Sequence, residues 1–234
     1  MPPSRSIPAP RVPAAAARRL LLAAQGLGPP PGRATAERLY ELVFRLGFVQ
    51  IDSINVVERA QHLTLAARLP GYRPALLATL LERQRRLFEH WTHDAAAIPT
   101  AWFPFWRIRF DRFRARLATH RWWQERLGPE PERLLDRVRE RLHREGPLMI
   151  RDFAVEAGTG GGSFWAWRPE KAALELLWRT GEVAIDRRRS FHKVYDLTER
   201  VLPAAWAAPR PSDEAHLDWA CREALARLGV ASPE

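Results

Sequence analysis

The sequence predicts a mainly α-helical chain with small β-hairpins, an α+β protein built from tandem winged-helix (helix-turn-helix) domains. Three observations predict this. A helix, helix, short link, helix pattern runs over residues 14–59. Three further helical patterns end in a basic alternating hairpin over residues 132–197. With 46% hydrophobic and 27% charged residues, the 234-residue chain has enough apolar material for one large or two small domains.

Residues 1–16 carry repeated prolines and almost no large apolar side chain, so they read as a disordered Pro/Ala-rich extension. The first domain is expected over 17–127. Ala14 to Gln25 suits a helix stopped by Gly26, and Thr35 to Leu46 a second, N-capped by Thr35 and stopped by Gly47. Phe48 to Asp52 alternates as a short extended piece, and Ser53 to Arg59 is predicted as a third helix entered through an Asp or Ser cap. A helix from about Pro74 to Arg85, a hairpin over Arg86 to Pro99 and an amphipathic helix over Trp102 to Leu117 follow.

Gly128-Pro129-Glu130-Pro131 closes one helix and opens the next, so a second domain with a basic wing is expected over 128–205. Its helices are Glu132 to Arg144, Ile150 to Glu156 and Glu170 to Thr180. Its strands are 182–186 and 191–197, with Arg187, Arg188 and Arg189 at the turn between them. Ser212 to Leu228, ended by Gly229, is a last helix within 206–234.

Charge and composition then narrow the function. Lys plus Arg number 37 against 27 Asp plus Glu, a net charge of +10 that points toward polyanions. Only Lys171 and Lys193 are lysines, which reflects a GC-rich codon usage, but codon usage does not supply an excess of positive charge. The single cysteine, Cys221, excludes an internal disulfide and Cys-rich zinc modules. No run of roughly 18 apolar residues and no export signal is present, so no membrane contact is expected. The histidines are scattered singly, and Gly158 to Gly162 lacks the Lys-Ser/Thr of a phosphate loop. No metal, no nucleotide and no other cofactor is expected. The aromatic residues of 102–113 recur at intervals of three and four and read as packing.

The stretch Phe48-Val49-Gln50-Ile51-Asp52-Ser53-Ile54-Asn55-Val56-Val57-Glu58-Arg59 resembles the YcaQ (AlkX) group of winged-helix DNA glycosylases, which is related to AlkZ. The likeness continues through 69–72 and 88–95, and through a second block at 164–169, 181–183 and 194–201. The resemblance implies tandem winged helices followed by a C-terminal region of the family that is absent here, the helix at 212–228 standing where that truncated third domain would begin. It also implies a monofunctional repair enzyme, a hydrolase that cleaves the N-glycosidic bond of N7-alkylguanine and unhooks interstrand DNA crosslinks. The expected partner is double-stranded DNA carrying alkylated or crosslinked guanine. The protein is expected to be monomeric and cytoplasmic, nucleoid-associated in a prokaryote.

The family's catalytic Gln, apolar residue and Asp map onto Gln50, Ile51 and Asp52. In an extended segment Gln50 and Asp52 share a face and Ile51 takes the other. An N7-alkylated guanine is cationic and leaves readily. The remaining work is to stabilise an oxocarbenium-like sugar with a carboxylate, assigned to Asp52, and to place water or the sugar-phosphate, assigned to Gln50. Spacing alone favours the plainer reading, in which Asp52 or Ser53 merely caps the following helix and Gln50 is a surface residue of the link; the resemblance reverses that preference. The resemblance also sets His93 in a hairpin pressed toward DNA. Arg187, Arg188, Arg189 and Lys193 are expected to contact the backbone, against the alternative of a solvated turn. The alternative function is a non-catalytic winged-helix DNA-binding protein, a regulator or an inactive relative.

Overall fold

Thr35 Oγ1 accepts the Arg38 N–H at 3.2 Å and opens the first well-capped helix of the chain. The computed structural model describes residues 11–28, 32–117, 120–153, 168–229 and 231. Helix α1 (Ala14–Ala24) precedes that cap and α2 (Ala36–Leu46) follows it, ending at Gly47 with φ of 92°. The chain then extends as β1 (Val49–Gln50), and the Ile51 N–H continues the ladder to Ala95 O at 2.7 Å. Val49 and Ile51 are buried in a core with Leu39, Val43 and Leu65, while Gln50 and Asp52 are half-exposed, the alternation expected of a strand.

The predicted helix over Ser53 to Arg59 does not form. Asp52 Oδ1 accepts the N–H of Ile54 at 2.9 Å, the local bond that a cap would make, but no helix follows it. Ile54, Asn55, Val56 and Val57 are weak helix formers that give no counterweight. The helix comes later, as α3 (Ala60–Ala66), which the periodicity did not reveal. Helix α4 (Pro74–Ala78) continues into a π-helical turn over Thr79–Arg83, so the expected helix exists with a widened second half. Strands β2 (Leu87–Trp91) and β3 (Ala95–Pro99) form the expected hairpin, and β3 pairs antiparallel with both β1 and β2.

A 3-10 turn (Thr100–Trp102) leads into α5 (Phe103–Leu117), followed by α6 (Arg121–Leu127) and α7 (Pro131–Glu145), which starts with Pro131 in its first turn. Next come β4 (Leu148–Met149), a 3-10 turn (Ile150–Phe153) and α8 (Pro169–Arg179). The expected helix over 150–156 is therefore a 3-10 turn as far as Phe153. Its remainder, the Gly158 to Gly162 loop and the 164–167 motif lie outside the described residues. Strands β5 (Val183–Arg189) and β6 (His192–Leu197) complete a second antiparallel sheet in the order β4-β6-β5. Short α9 (Thr198–Val201) and α10 (Pro203–Ala207) precede α11 (Asp213–Leu228), capped by Ser212 Oγ accepting from Ala215 N at 3.1 Å. The chain is thus mainly helical with two small sheets, and one order of elements, helix, short strand, helix, hairpin, occurs twice.

Three expectations need correction in position. The turn of the second hairpin is Ser190-Phe191, with φ of 47° and 68°, so Arg187, Arg188 and Arg189 lie along β5 and not at its tip. Residues 14–16 are helical, inside the stretch expected to be unstructured. The chain does break at 128–131, but Trp123 and Leu127 of α6 pack with Val138 and Leu177, so α6 shares a core with the elements that follow it. Helix α11 packs back onto the first elements: Trp219 stacks on Phe105 at 4.6 Å, and Gln25 Nε2 donates to Arg227 O at 3.1 Å.

The two sheets are locked together by β2 and α8. Trp178 Nε1 donates to Glu89 O at 3.0 Å, and His90 Nε2 donates to Trp178 O at 2.8 Å. His90 Nδ1 accepts the Trp106 Nε1–H at 3.1 Å, which fixes the neutral tautomer with its proton on Nε2. Gly181, at φ of 77°, directly follows this helix. A Cβ there would stand 2.4 Å from the Phe110 ring, so only glycine fits.

Burial pushes the His90 imidazole down to about 3. A histidine depressed in the fold stays neutral while the unfolded chain takes up a proton near 6.5. Its stabilisation is therefore complete above that value and is lost as pH falls from there toward 3. From the linkage relation, stability should drop by about 2 kcal/mol between pH 7.5 and pH 5. Urea unfolding at both pH values checks this, and a His90→Gln protein should lose that part of the dependence.

Candidate functional site

Asp52 sits at the end of β1, and two side chains hold its surroundings. Its N–H donates to Gln61 Oε1 at 2.9 Å, and its Oδ1 takes the Ile54 N–H, leaving Oδ2 without a protein partner among the described residues. Gln61 is buried on α3, so it ties the loop after Asp52 to the first core. Two residues earlier on the same face, Gln50 Nε2 donates to Asp94 Oδ2 at 3.3 Å. Asp94 is itself fixed by Ala95 N on Oδ1 at 2.8 Å, and its carbonyl receives Thr92 N at 2.8 Å, which closes the β2–β3 turn. Gln50 keeps its amide oxygen for another donor, and Asp52 keeps one carboxylate oxygen.

Near these residues the surface changes character. The loop leaving Asp52 presents Ile54, Val56 and Val57 at 67%, 90% and 88% exposure, an apolar ridge with no partner among the described residues. His93 lies at the β2–β3 turn, its ring 5.7 Å from Phe48 and edge-on to it, so it stands next to β1. Below the loop, His62 Nδ1 and Tyr72 Oη are 2.9 Å apart; burial lowers the imidazole and raises the phenol, which keeps both neutral.

The basic wing divides. Arg188 grips buried Glu89 of β2 with both Nε (2.8 Å) and Nη2 (2.6 Å), and its guanidinium also lies over Phe191 at 4.3 Å. Arg59 covers Phe191 at 4.1 Å, so the tip of the second hairpin is held against the first unit between two guanidiniums. Lys193 Nζ sits 3.5 Å over the Trp178 ring and 3.3 Å from Glu175. Arg187 pairs with Asp186, which also takes Arg85. Arg189 is exposed and has no ion pair among the described residues. The wing is therefore largely a clamp between the two sheets, and its distance from Gln50 and Asp52 in sequence is bridged by Glu89 and Phe191. Reading the sequence alone missed Gln61, Asp94 and Arg109, whose Nη2 donates to Thr92 O at 3.1 Å. The signal for Gln61 was a polar amide on the apolar side of a helix starting at Ala60. Asp94 already lay inside the 88–95 motif.

Among the described residues no group of three His, Cys, Asp or Glu could hold a metal ion, and no helix is long and apolar enough to cross a membrane.

This arrangement of helices around two small antiparallel sheets is similar in fold to the Streptomyces sahachiroi DNA glycosylase AlkZ. This chain matches that structure with a TM-score of 0.63 at 15% identity, over 92% of its own length and 57% of that chain, so it spans a little more than half of that protein. A family model described as DNA glycosylase AlkZ-like matches residues 43–234, and the chain belongs to the AlkZ-like DNA glycosylase family.

The division of the wing is measurable. Arg188→Met strands the Glu89 carboxylate in the interior and should destabilise by roughly 3–5 kcal/mol. Arg189→Met should stay within about 0.5 kcal/mol of the parent in urea unfolding. Equal effects would contradict the assignment.

Proposed function

We propose that the chain hydrolyses the N-glycosidic bond of N7-alkylguanine in double-stranded DNA, including guanines tied into interstrand crosslinks. The observation that carries this reading is the pairing of Gln50 and Asp52 on one open strand face in a member of the AlkZ-like DNA glycosylase family, with Asp52 Oδ2 free to face a ligand.

The alkylated base carries positive charge and needs no strong acid to depart. As the bond to the sugar breaks, positive charge moves to the sugar ring, where the Asp52 carboxylate stabilises it. Gln50, held by Asp94, accepts a hydrogen bond from the attacking water and sets its direction. Atoms balance without a cofactor: water adds hydroxyl to the sugar carbon and gives up its other proton to solvent, and the base leaves neutral with the bonding electron pair. The two repeats act as tandem winged helices on the duplex. His93 and Arg189 approach the backbone beside the site, while Arg187, Arg188 and Lys193 shape the surface that does so. The apolar ridge of Ile54, Val56 and Val57 meets the base stack next to the lesion.

The test is release of 7-methylguanine from methylated duplex at low salt. The wild type should release base and Asp52→Ala should not, with duplex affinity unchanged. Gln61→Leu, which removes the acceptor for Asp52 N–H, should slow release by about tenfold or more through misplacement of the carboxylate. Binding of duplex without any base release by folded wild type would replace the enzyme with a non-catalytic DNA-binding relative.

A further inference from the structure

A cleft of about 640 Å³ opens on the other side of the β2–β3 turn, between α5, α6 and α8. Arg109, Arg112, Arg116 and Arg179 all line it, and no Asp or Glu does among the described residues. Arg179 meets Glu175 at 3.4 Å, as Arg114, Arg139, Arg141 and Arg188 meet carboxylates elsewhere in the molecule. Arg109, Arg112 and Arg116 fall at intervals of three and four on α5, so they form one row that rises about 10.5 Å along the helix. Arg112 has no hydrogen bond or ion pair to any described residue. The Arg109 guanidinium is held below its ordinary range by burial and by the like charge of Arg112. Two cations facing one space without an acid are an incomplete arrangement that an anion completes.

The aromatic lining decides which part of a nucleic acid fits. Trp91 is covered by Arg179 at 3.6 Å, and Trp122 by Arg126 at 3.8 Å. Trp123 is itself buried. With those ring faces occupied, a base has little to stack on. The polar groups that the cleft offers are therefore guanidinium N–H groups, which suit oxygen acceptors. The cleft also shares its turn with the candidate site: Arg109 holds Thr92 O, and Thr92 N binds the carbonyl of Asp94, whose side chain holds Gln50. A strand running from the cleft across the turn would arrive at Gln50 and Asp52.

We propose that the Arg109–Arg112–Arg116 row of α5, with Arg179 opposite, is a phosphate-binding cleft that grips the backbone of one DNA strand next to the candidate site. This rests on the DNA-binding half of the reading above and not on the chemistry at Asp52.

The experiment measures affinity for a fluorescent, undamaged 20-base-pair duplex over a range of NaCl concentrations. Each phosphate contact contributes about 0.9 to the slope of log affinity against log salt. Arg112→Ala should flatten the slope by about one, uniformly across unrelated sequences, and Arg112→Lys should restore it. Arg112→Glu should weaken binding further, with unfolding midpoints unchanged in all three. An unchanged slope in folded Arg112→Ala and Arg112→Glu would overturn the proposal, as would absence of duplex binding by the wild type. If inorganic phosphate stabilises the wild type but not Arg112→Glu while the slope stays unchanged, the cleft serves a free phosphate compound and the DNA form of the proposal fails. A flattened slope in a protein that releases no base would sustain the cleft and remove only the glycosylase reading.

Discussion

The reciprocal hydrogen bonds between β2 and α8 are the constraint on which the other contacts depend. Trp178 is fully buried, and both its indole N–H and its carbonyl oxygen are turned toward β2, one to Glu89 O and one to His90 Nε2. A buried donor or acceptor left unpaired costs about 1–3 kcal/mol each, and truncating a buried Trp about 3–5 kcal/mol, so this contact sets how the second sheet sits on the first. Because β2 is also one arm of the hairpin that carries Thr92, His93 and Asp94, the packing of α8 fixes the position of the turn beside Gln50. Gly181 is the geometric condition for it, since the chain must leave α8 against the face of Phe110 before entering β5.

The same contact explains where the positive charge goes. Pulling Glu89 into the interior demands a cation with it, and Arg188 supplies a two-pronged partner from β5. Lys193 is drawn to the far side of Trp178 and Glu175. A net charge of +10 is therefore a poor map of where a polyanion binds. The wing that looks most basic in sequence has turned most of its cations inward. Arg109 and Arg112 of α5, which sit among Trp and Phe and look like part of a packing helix, face an open cleft whose described lining holds no acid.

How much could be read beforehand follows from the range of the forces involved. Helix α2 was legible to the residue because a Thr cap and a glycine stop act within a turn, and α7, α8 and α11 were legible from their repeats. The alternation at 49–52 was legible because a strand buried on one side shows its period in four residues. The false helix at 53–59 came from reading Asp52 or Ser53 as a cap: Asp52 does take the N–H two residues on, but Ile54, Asn55, Val56 and Val57 do not carry a helix forward. Locating α3 and α6 required knowing the core that receives them. For the site, Gln50, Asp52 and the neighbouring His93 were available from a local motif. The supports were not: Gln61 meets Asp52 across a loop, Asp94 meets Gln50 across 44 residues, and Arg188 meets Glu89 across 99. No local pattern encodes such pairs, although a buried amide on a helix was a hint for Gln61.

The loop between Asp52 and α3 joins these observations. A helix there would have set Ile54 and Val57 on one face and Val56 on the other, with Asp52 as its cap. The tight turn at Ile54 uses only one oxygen and throws the three aliphatic side chains outward, while Gln61 holds the backbone so that Asp52 cannot follow them. Exposing two adjacent valines almost completely forgoes about 1.5–3 kcal/mol of burial for each, which a chain with an ample core had no need to give up for folding alone. The residues after the Gln50-Ile51-Asp52 motif thus leave one carboxylate oxygen without a partner among the described residues and an apolar ridge uncovered beside it. Both features face outward, on the side where the β2–β3 turn and, beyond it, the arginine row of α5 also open.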